Sequence, residues 1–201
     1  MCSRYYIDDN ITVELERLIG RMDERLKYDS MISVKRIAEK DIRPTDEAPV
    51  LEGESNSISC KWKKWGFLGF QGKKVIFNAR CESAMEKPLF RDSMLHRRVV
   101  VPASWFYEWN SKKEKNTFFR KDKSILFMAG CYRQYKDGEH FVILTTQANA
   151  SMSPVHDRMP LILEPEEILP WIFNDKRAEE ILQKTPCLLE RKNDYEQLGL
   201  F

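Results

Sequence analysis

"SILFMAGCYRQYKDGEHFVILTT" (residues 124–146) decides the fold class. Two segments rich in β-branched and aromatic residues flank the polar "KDGE". Asp137-Gly138 is a strong tight-turn pair, because glycine enters the φ > 0 conformations that short hairpin turns require. The stretch therefore predicts an antiparallel hairpin. Working outward, "NTFFR" and the strand before "KDGE" flank the polar "KDK", and "RRVVVPAS" (97–104) and "WFYEW" (105–109) add two more strands. "KKVIFNAR" (73–80) has a compact apolar centre and reads as a strand that ends in polar residues. "EKDIRPTDEAPVL" (39–51) holds two prolines and no helical period, and reads as an extended connector.

Helices frame these strands. Leu15, Leu18, Ile19, Met22 and Leu26 recur at helical spacing over residues 12–27, with Glu14 and Glu16 in the first turn. A short helix is expected over 85–96, with Pro88 tolerated in its first turn. Two more are expected over 165–173 and 176–184, the first begun by Pro165, Glu166 and Glu167. Consecutive antiparallel strands with peripheral helices indicate an α+β fold, with a largely antiparallel sheet or barrel-like core. The 201 residues suit a single domain over 1–201.

Composition excludes several classes. No apolar run approaches the ~20 residues of a membrane helix, and no signal-peptide pattern opens the chain, so a soluble intracellular protein is expected. The net charge of +2 names no partner, although Lys and Arg cluster at Lys61, Lys63 and Lys64, at Lys73 and Lys74, at Arg97 and Arg98, and at Lys112, Lys113 and Lys115. Five scattered cysteines (Cys2, Cys60, Cys81, Cys131, Cys187) form no C-x-x-C pair. They argue against a disulfide framework and a zinc site, and no cofactor is implied.

Four patches place polar residues among apolar ones: Cys2, "NAR" with Asn78 and Arg80, "FYEW" with Glu108, and "SPVHDRMP" with His156 and Arg158. Taken singly, each has an ordinary reading as a strand end, a solvent-facing carboxylate or a loop histidine. Taken together, in this order, they resemble a family. The matching segments are "MCSR", "IRPTDEAPVL" (42–51), "WGF" (65–67), "NARCES" (78–83), "RRVVVPASWFYEW" (97–109), "LTTQAN" (144–149) and "HDRMP" (156–160). The chain resembles the SRAP family, the SOS response-associated peptidase proteins that shield abasic sites in single-stranded DNA. Ser3 and Trp105 stand where the family usually has glycine.

The resemblance implies a covalent chemistry. With Met1 removed, Cys2 carries a free amine and a thiol on one residue. The amine attacks the aldehyde of a ring-opened abasic site, and the sulfur closes a five-membered thiazolidine on the resulting imine. An internal cysteine cannot do this, because its nitrogen is an amide. An α-amine of pKa near ~7.8 is roughly 14% neutral at pH 7, against about 0.04% for a lysine. The thiol, near ~8.5, is expected to gain thiolate from a neighbouring base or cation. The resemblance further implies that Asn78 orients the amine and sugar, that Glu108 takes or shuttles the amine proton, and that His156 is the general acid/base for ring opening. Arg80 holds a phosphate, with Arg158 a second candidate, and Trp65 with Lys64 forms a platform beside the lesion. The implied partner is single-stranded DNA bearing an abasic site, bound by a monomer. Two alternatives stay open: a thiol peptidase or amidohydrolase using Cys2 and His156, and a non-covalent single-strand binder. The ending "YEQLGLF" is read as a strand or tail packed on the domain, or a partner-binding tail.

Overall fold

A computed structural model describes residues 2–26, 37–55, 57–69 and 74–193. The hairpin expected from the opening stretch is present: β11 (Leu126–Tyr135) pairs antiparallel with β12 (Gly138–Gln147), Tyr135 opposite Gly138. Gly138 takes φ +128° at the turn, which is the role Asp137-Gly138 signals.

This hairpin closes a barrel. β12 pairs with β4 (Ser57–Trp65), β4 with β3 (Glu47–Glu54), β3 with β8 (Arg98–Ala103), and β8 with β11, so five strands form a ring. All pairings in the ring are antiparallel except β12–β4, which is parallel. Three short strands extend the sheet: β7 (Asn78–Arg80) and β13 (Arg158–Pro160) on β12, and β14 (Ile162–Leu163) on β11. β5 (Phe67–Leu68) and β6 (Val75–Ile76) make a separate small hairpin.

The second sheet holds five strands in the order β15 (Glu190–Asn193), β10 (Lys115–Phe119), β9 (Trp105–Trp109), β1 (Tyr5–Ile7) and β2 (Lys40–Ile42). Only Ser104 separates β8 of the barrel from β9 of this sheet. Its hydroxyl accepts from the Asp8 amide at 2.9 Å and fastens the end of β1 to that corner.

Trp65 ties the barrel to β1. It is fully buried, stacks on Phe141 at 6.2 Å, packs on Tyr5 at 5.1 Å, and donates its indole N–H to the Phe77 carbonyl at 2.9 Å. The helices lie outside. α1 (Ile11–Leu26) buries Ile11, Leu15, Leu18 and Ile19. The side chains of Met22 and Leu26, also expected inside, lie outside the described part. α2 (Cys81–Ala84) and α3 (Arg91–His96) are short, and Pro88 falls in the turn between them rather than inside a helix over 85–96. A 3-10 turn at Pro165–Glu167 leads into α4 (Ile168–Phe173), followed by α5 (Asp175–Leu182).

Two basic residues from the clusters are structural. Arg98 is buried and donates to the Met94, Trp171 and Ile172 carbonyls and to Asp175, tying α3, α4 and α5 to β8. Lys63 has a fully buried side chain, pairs with Glu52 at 2.7 Å and with Glu139, and sits 3.9 Å from the Tyr132 ring. Tyr132 belongs to β11, which does not neighbour β4, so Lys63 reaches across the ring of strands.

The connector expected at 39–51 is instead strand. Pro49 lies opposite Trp62, while β8 meets β3 only at Leu51 and Glu52. β3 therefore has one open side at Pro49, where a residue without an amide hydrogen is tolerated. Lys73 and the ending 195–201 lie outside the described residues.

Gly66 and Gly138 both hold positive φ, but a Cβ at Gly66 would meet Val75 Cγ1 at 2.3 Å, whereas Gly138 has open space. Gly138→Ala should cost about 1 kcal/mol of stability through backbone strain alone. Gly66→Ala should cost about 1–3 kcal/mol more, because β-branched Val75 cannot swing aside. Paired urea titrations measure the difference, and equal losses would refute the close approach.

Candidate functional site

Cys2 lies immediately ahead of β1 and is fully buried. The β1–β9 ladder sets its place: Tyr5 faces Phe106, and the Tyr107 amide donates to the Arg4 carbonyl at 3.0 Å. Continuing that register towards the chain start sets Ser3 opposite Glu108 and Cys2 one position further, near enough for the Glu108 charge to act on its thiol. From the barrel side, Asn78 Nδ2 donates to the Cys2 carbonyl at 2.8 Å. Asn78 is placed by β7, which runs parallel to β12 with Asn78 opposite Ile143. Cys2 is thus gripped by Asn78 from the barrel side and feels the charge of Glu108 from the small sheet.

Alternation along β9 explains Glu108. Phe106 and Glu108 are buried, while Trp105, Tyr107 and Trp109 are half-buried on the other face. Glu108 is only 5% exposed, and its Oε1 accepts from the Trp109 amide at 3.3 Å. Burial and the Glu108 charge push the Cys2 thiol up to about 12. Burial also raises Tyr5 well above the usual phenol range, with Cys2 adding to the effect. The Tyr5 hydroxyl and Asn78 Oδ1 are buried polar atoms without a hydrogen-bond partner among the described residues. Tyr5 escaped sequence reasoning. Its place beside Cys2 on an alternating strand was the available signal.

His156 and the two arginines sit at the far end of β12. Arg80 is exposed and lies opposite Thr145; Arg158 lies opposite Gln147. His156 Nδ1 accepts from the Arg158 amide at 2.9 Å and lies 2.8 Å from Asp157 Oδ1.

Several expectations require correction. Trp65 offers no stacking platform, because its ring is enclosed by Tyr5, Phe77 and Phe141. Trp62, one side-chain alternation away, is the exposed one at 43%. Arg158 has its fork committed: it binds both oxygens of Glu82, at 2.6 and 2.8 Å, and the Thr145 carbonyl at 2.6 Å. This pair draws the Glu82 carboxyl below its usual range. Arg158 is thus engaged by Glu82, while Arg80 is exposed on β7. Lys64 is surface-exposed but paired with Asp137 at 3.2 Å. The thiol of Cys2 is not activated. Burial and the Glu108 charge both hold its proton in place.

Folding holds the protons of Cys2, Cys81 and Cys131 up to about 12 and of Cys60 up to about 11, all from 9.0. A folded pKa above the unfolded one gives stability that is complete below pH 9 and lost as pH climbs towards 12. The urea midpoint should therefore fall across that window. Mass-mapped alkylation of native Cys2 should keep accelerating past pH 10. A rate plateau below pH 9 would show an activated thiol instead.

Comparison with known proteins follows from this geometry. The sequence is 26% identical over 192 residues to the abasic site processing protein YedK of Escherichia coli, covering 90% of this chain and 85% of that protein. It is 32% identical over 131 residues to the abasic site processing protein YoaM of Bacillus subtilis, covering 61% and 56%. It is 30% identical over 177 residues to the abasic site processing protein YMR114C of Saccharomyces cerevisiae, spanning 47% of that longer protein. A phage-related protein of Bordetella bronchiseptica solved by X-ray crystallography shares the fold, with a TM-score of 0.77 at 20% identity, over 96% of this chain and 94% of that one. The pattern of the family described as SOS response associated peptidase (SRAP) matches residues 1–197, and the chain belongs to that family.

Proposed function

We propose that this protein captures abasic sites in single-stranded DNA through Cys2, after loss of Met1, as a covalent thiazolidine that shields the lesion. The observation that carries this reading is the hold on Cys2. Its carbonyl is fixed by Asn78, and the buried Glu108 carboxylate acts on its thiol. The similarity to proteins named for abasic site processing supplies the substrate.

The raised thiol pKa orders the steps. The neutral α-amine attacks the C1′ aldehyde first, and Glu108 takes the proton that the nitrogen sheds. The carbinolamine then loses water, for which His156 is the proton donor. The thiol adds last: sulfur bonds to C1′, and its proton ends on the former imine nitrogen. Amine, thiol and aldehyde thus become one ring and one water. Asn78 Oδ1 is a buried acceptor available to an amine or sugar hydroxyl hydrogen, and Arg80 takes the adjacent phosphate. A monomer meets all these requirements. Among the described residues no helix is long and apolar enough to cross a membrane.

The peptidase reading is weaker on one count. It needs a thiolate, and burial keeps Cys2 protonated.

Intact mass spectrometry with an abasic oligonucleotide tests the proposal. The product should equal the protein without Met1 plus the oligonucleotide minus one water. Cys2→Ser should give no heat-stable adduct. Glu108→Gln should slow crosslinking by about 10²-fold or more, and an undiminished rate would remove Glu108 from the mechanism. Affinity should fall as salt rises.

A further inference from the structure

The outer face of the small sheet bears a groove of about 430 Å³ that the crosslinking chemistry leaves unused. Trp105 and Tyr107 of β9 line it, with Lys115 of β10, Lys123 of the following turn, Lys192 of β15, and Asp8. Tyr107, Thr117 and Lys192 form one cross-strand row over three strands, so the groove follows the pleat of the sheet.

Its aromatic wall is fixed in place. Trp105 stacks on Tyr6 at 4.4 Å with 7° between planes, and its indole N–H donates to the Tyr107 hydroxyl at 2.8 Å. Tyr107 lies between two cations, Arg4 at 5.2 Å and Lys115 at 5.4 Å. Three lysines and Asp8 line the groove, Asp8 accepts from the Asn10 amide at 3.1 Å, and Asp41 pairs with Arg4 beside Tyr107. Lys123 and Lys192 are exposed. Arg4 connects the edge of the groove to the segment that carries Cys2. Arg4 covers Tyr107 with its guanidinium, while its carbonyl lies 3.8 Å from Cys2 Sγ.

A rigid aromatic surface bordered by lysines has the chemistry of a base-stacking subsite with phosphate neutralisation. An apolar peptide would offer no counter-charge to the exposed Lys123 and Lys192, and duplex DNA keeps its base faces stacked. We propose that this groove binds a nucleotide of the single strand running away from the lesion, its base on Trp105 and Tyr107 and its phosphates on Lys123 and Lys192. Lys115 completes the site through Tyr107. The inference rests on the lesion-capture reading for the identity of the strand.

The test compares the parent with Trp105→Ala and with a Lys123→Gln/Lys192→Gln double variant, whose surface positions do not endanger folding. The probes are a trinucleotide centred on an abasic site and a longer single strand with the same centre. Trp105→Ala should weaken the longer strand by about tenfold. The double variant should lower the salt slope of log affinity by about 1.4, which is ~0.7 for each lost phosphate contact. Both should crosslink the saturating trinucleotide at the parent rate. Unchanged affinity and salt slope for the longer strand would overturn the groove while leaving lesion capture intact. Binding that depends on these residues in a protein that never crosslinks would sink lesion capture and leave the groove standing. Equal binding of a duplex of the same length through the same residues would overturn the single-strand assignment.

Discussion

Everything at the site depends on the burial of Tyr5 against Trp65. β1 is only three residues long, too short to hold a chain terminus by its hydrogen bonds alone. The contact between Tyr5 of one sheet and Trp65 of the barrel anchors it, and the indole is itself fixed to the Phe77 carbonyl. Phe77 directly precedes Asn78, so one aromatic cluster sets both the strand that presents Cys2 and the amide that grips its carbonyl. Trp65 is therefore a positioning residue, which is a different use from touching DNA.

That anchoring explains the electrostatics. Drawing Cys2 into the seam between sheets strips water from the thiol and brings it under the field of Glu108, and both effects favour the protonated sulfur. In the proposed capture reaction the same carboxylate would take the proton of the attacking amine, which favours nitrogen as first nucleophile and leaves sulfur to close the ring by proximity rather than ionisation.

Local patterns were legible in the sequence, and long-range compensation was not. Asp137-Gly138 announced its turn, and Leu15, Leu18 and Ile19 announced the buried face of α1, because both signals lie within a few residues. The strand 57–65 hid its inward face because "KWKKW" places a lysine where apolar alternation is expected. Lys63 is buried only because Glu52 and Glu139 meet it from other strands. Without knowing that, the inward Trp65 and outward Trp62 could not be told apart. Pro49 likewise masked a strand whose open side makes proline harmless. At the site, Asn78 meets the Cys2 carbonyl and the Glu108 charge reaches its thiol, contacts between residues far apart in the chain. The capture of Arg158 by Glu82 depends on a spatial neighbour that no spacing encodes.

The topology also dictates a sequence of events during synthesis. β1 emerges first but pairs with β9, about a hundred residues later, and the ring of strands shuts only when β12 meets β4. Such distant pairings form late. A growing polypeptide therefore exposes Cys2 long before it owns the carboxylate of Glu108 and the amide of Asn78 in working geometry. On the proposed function, unfinished chains would be poor traps, with reactivity withheld until the barrel strands have been made.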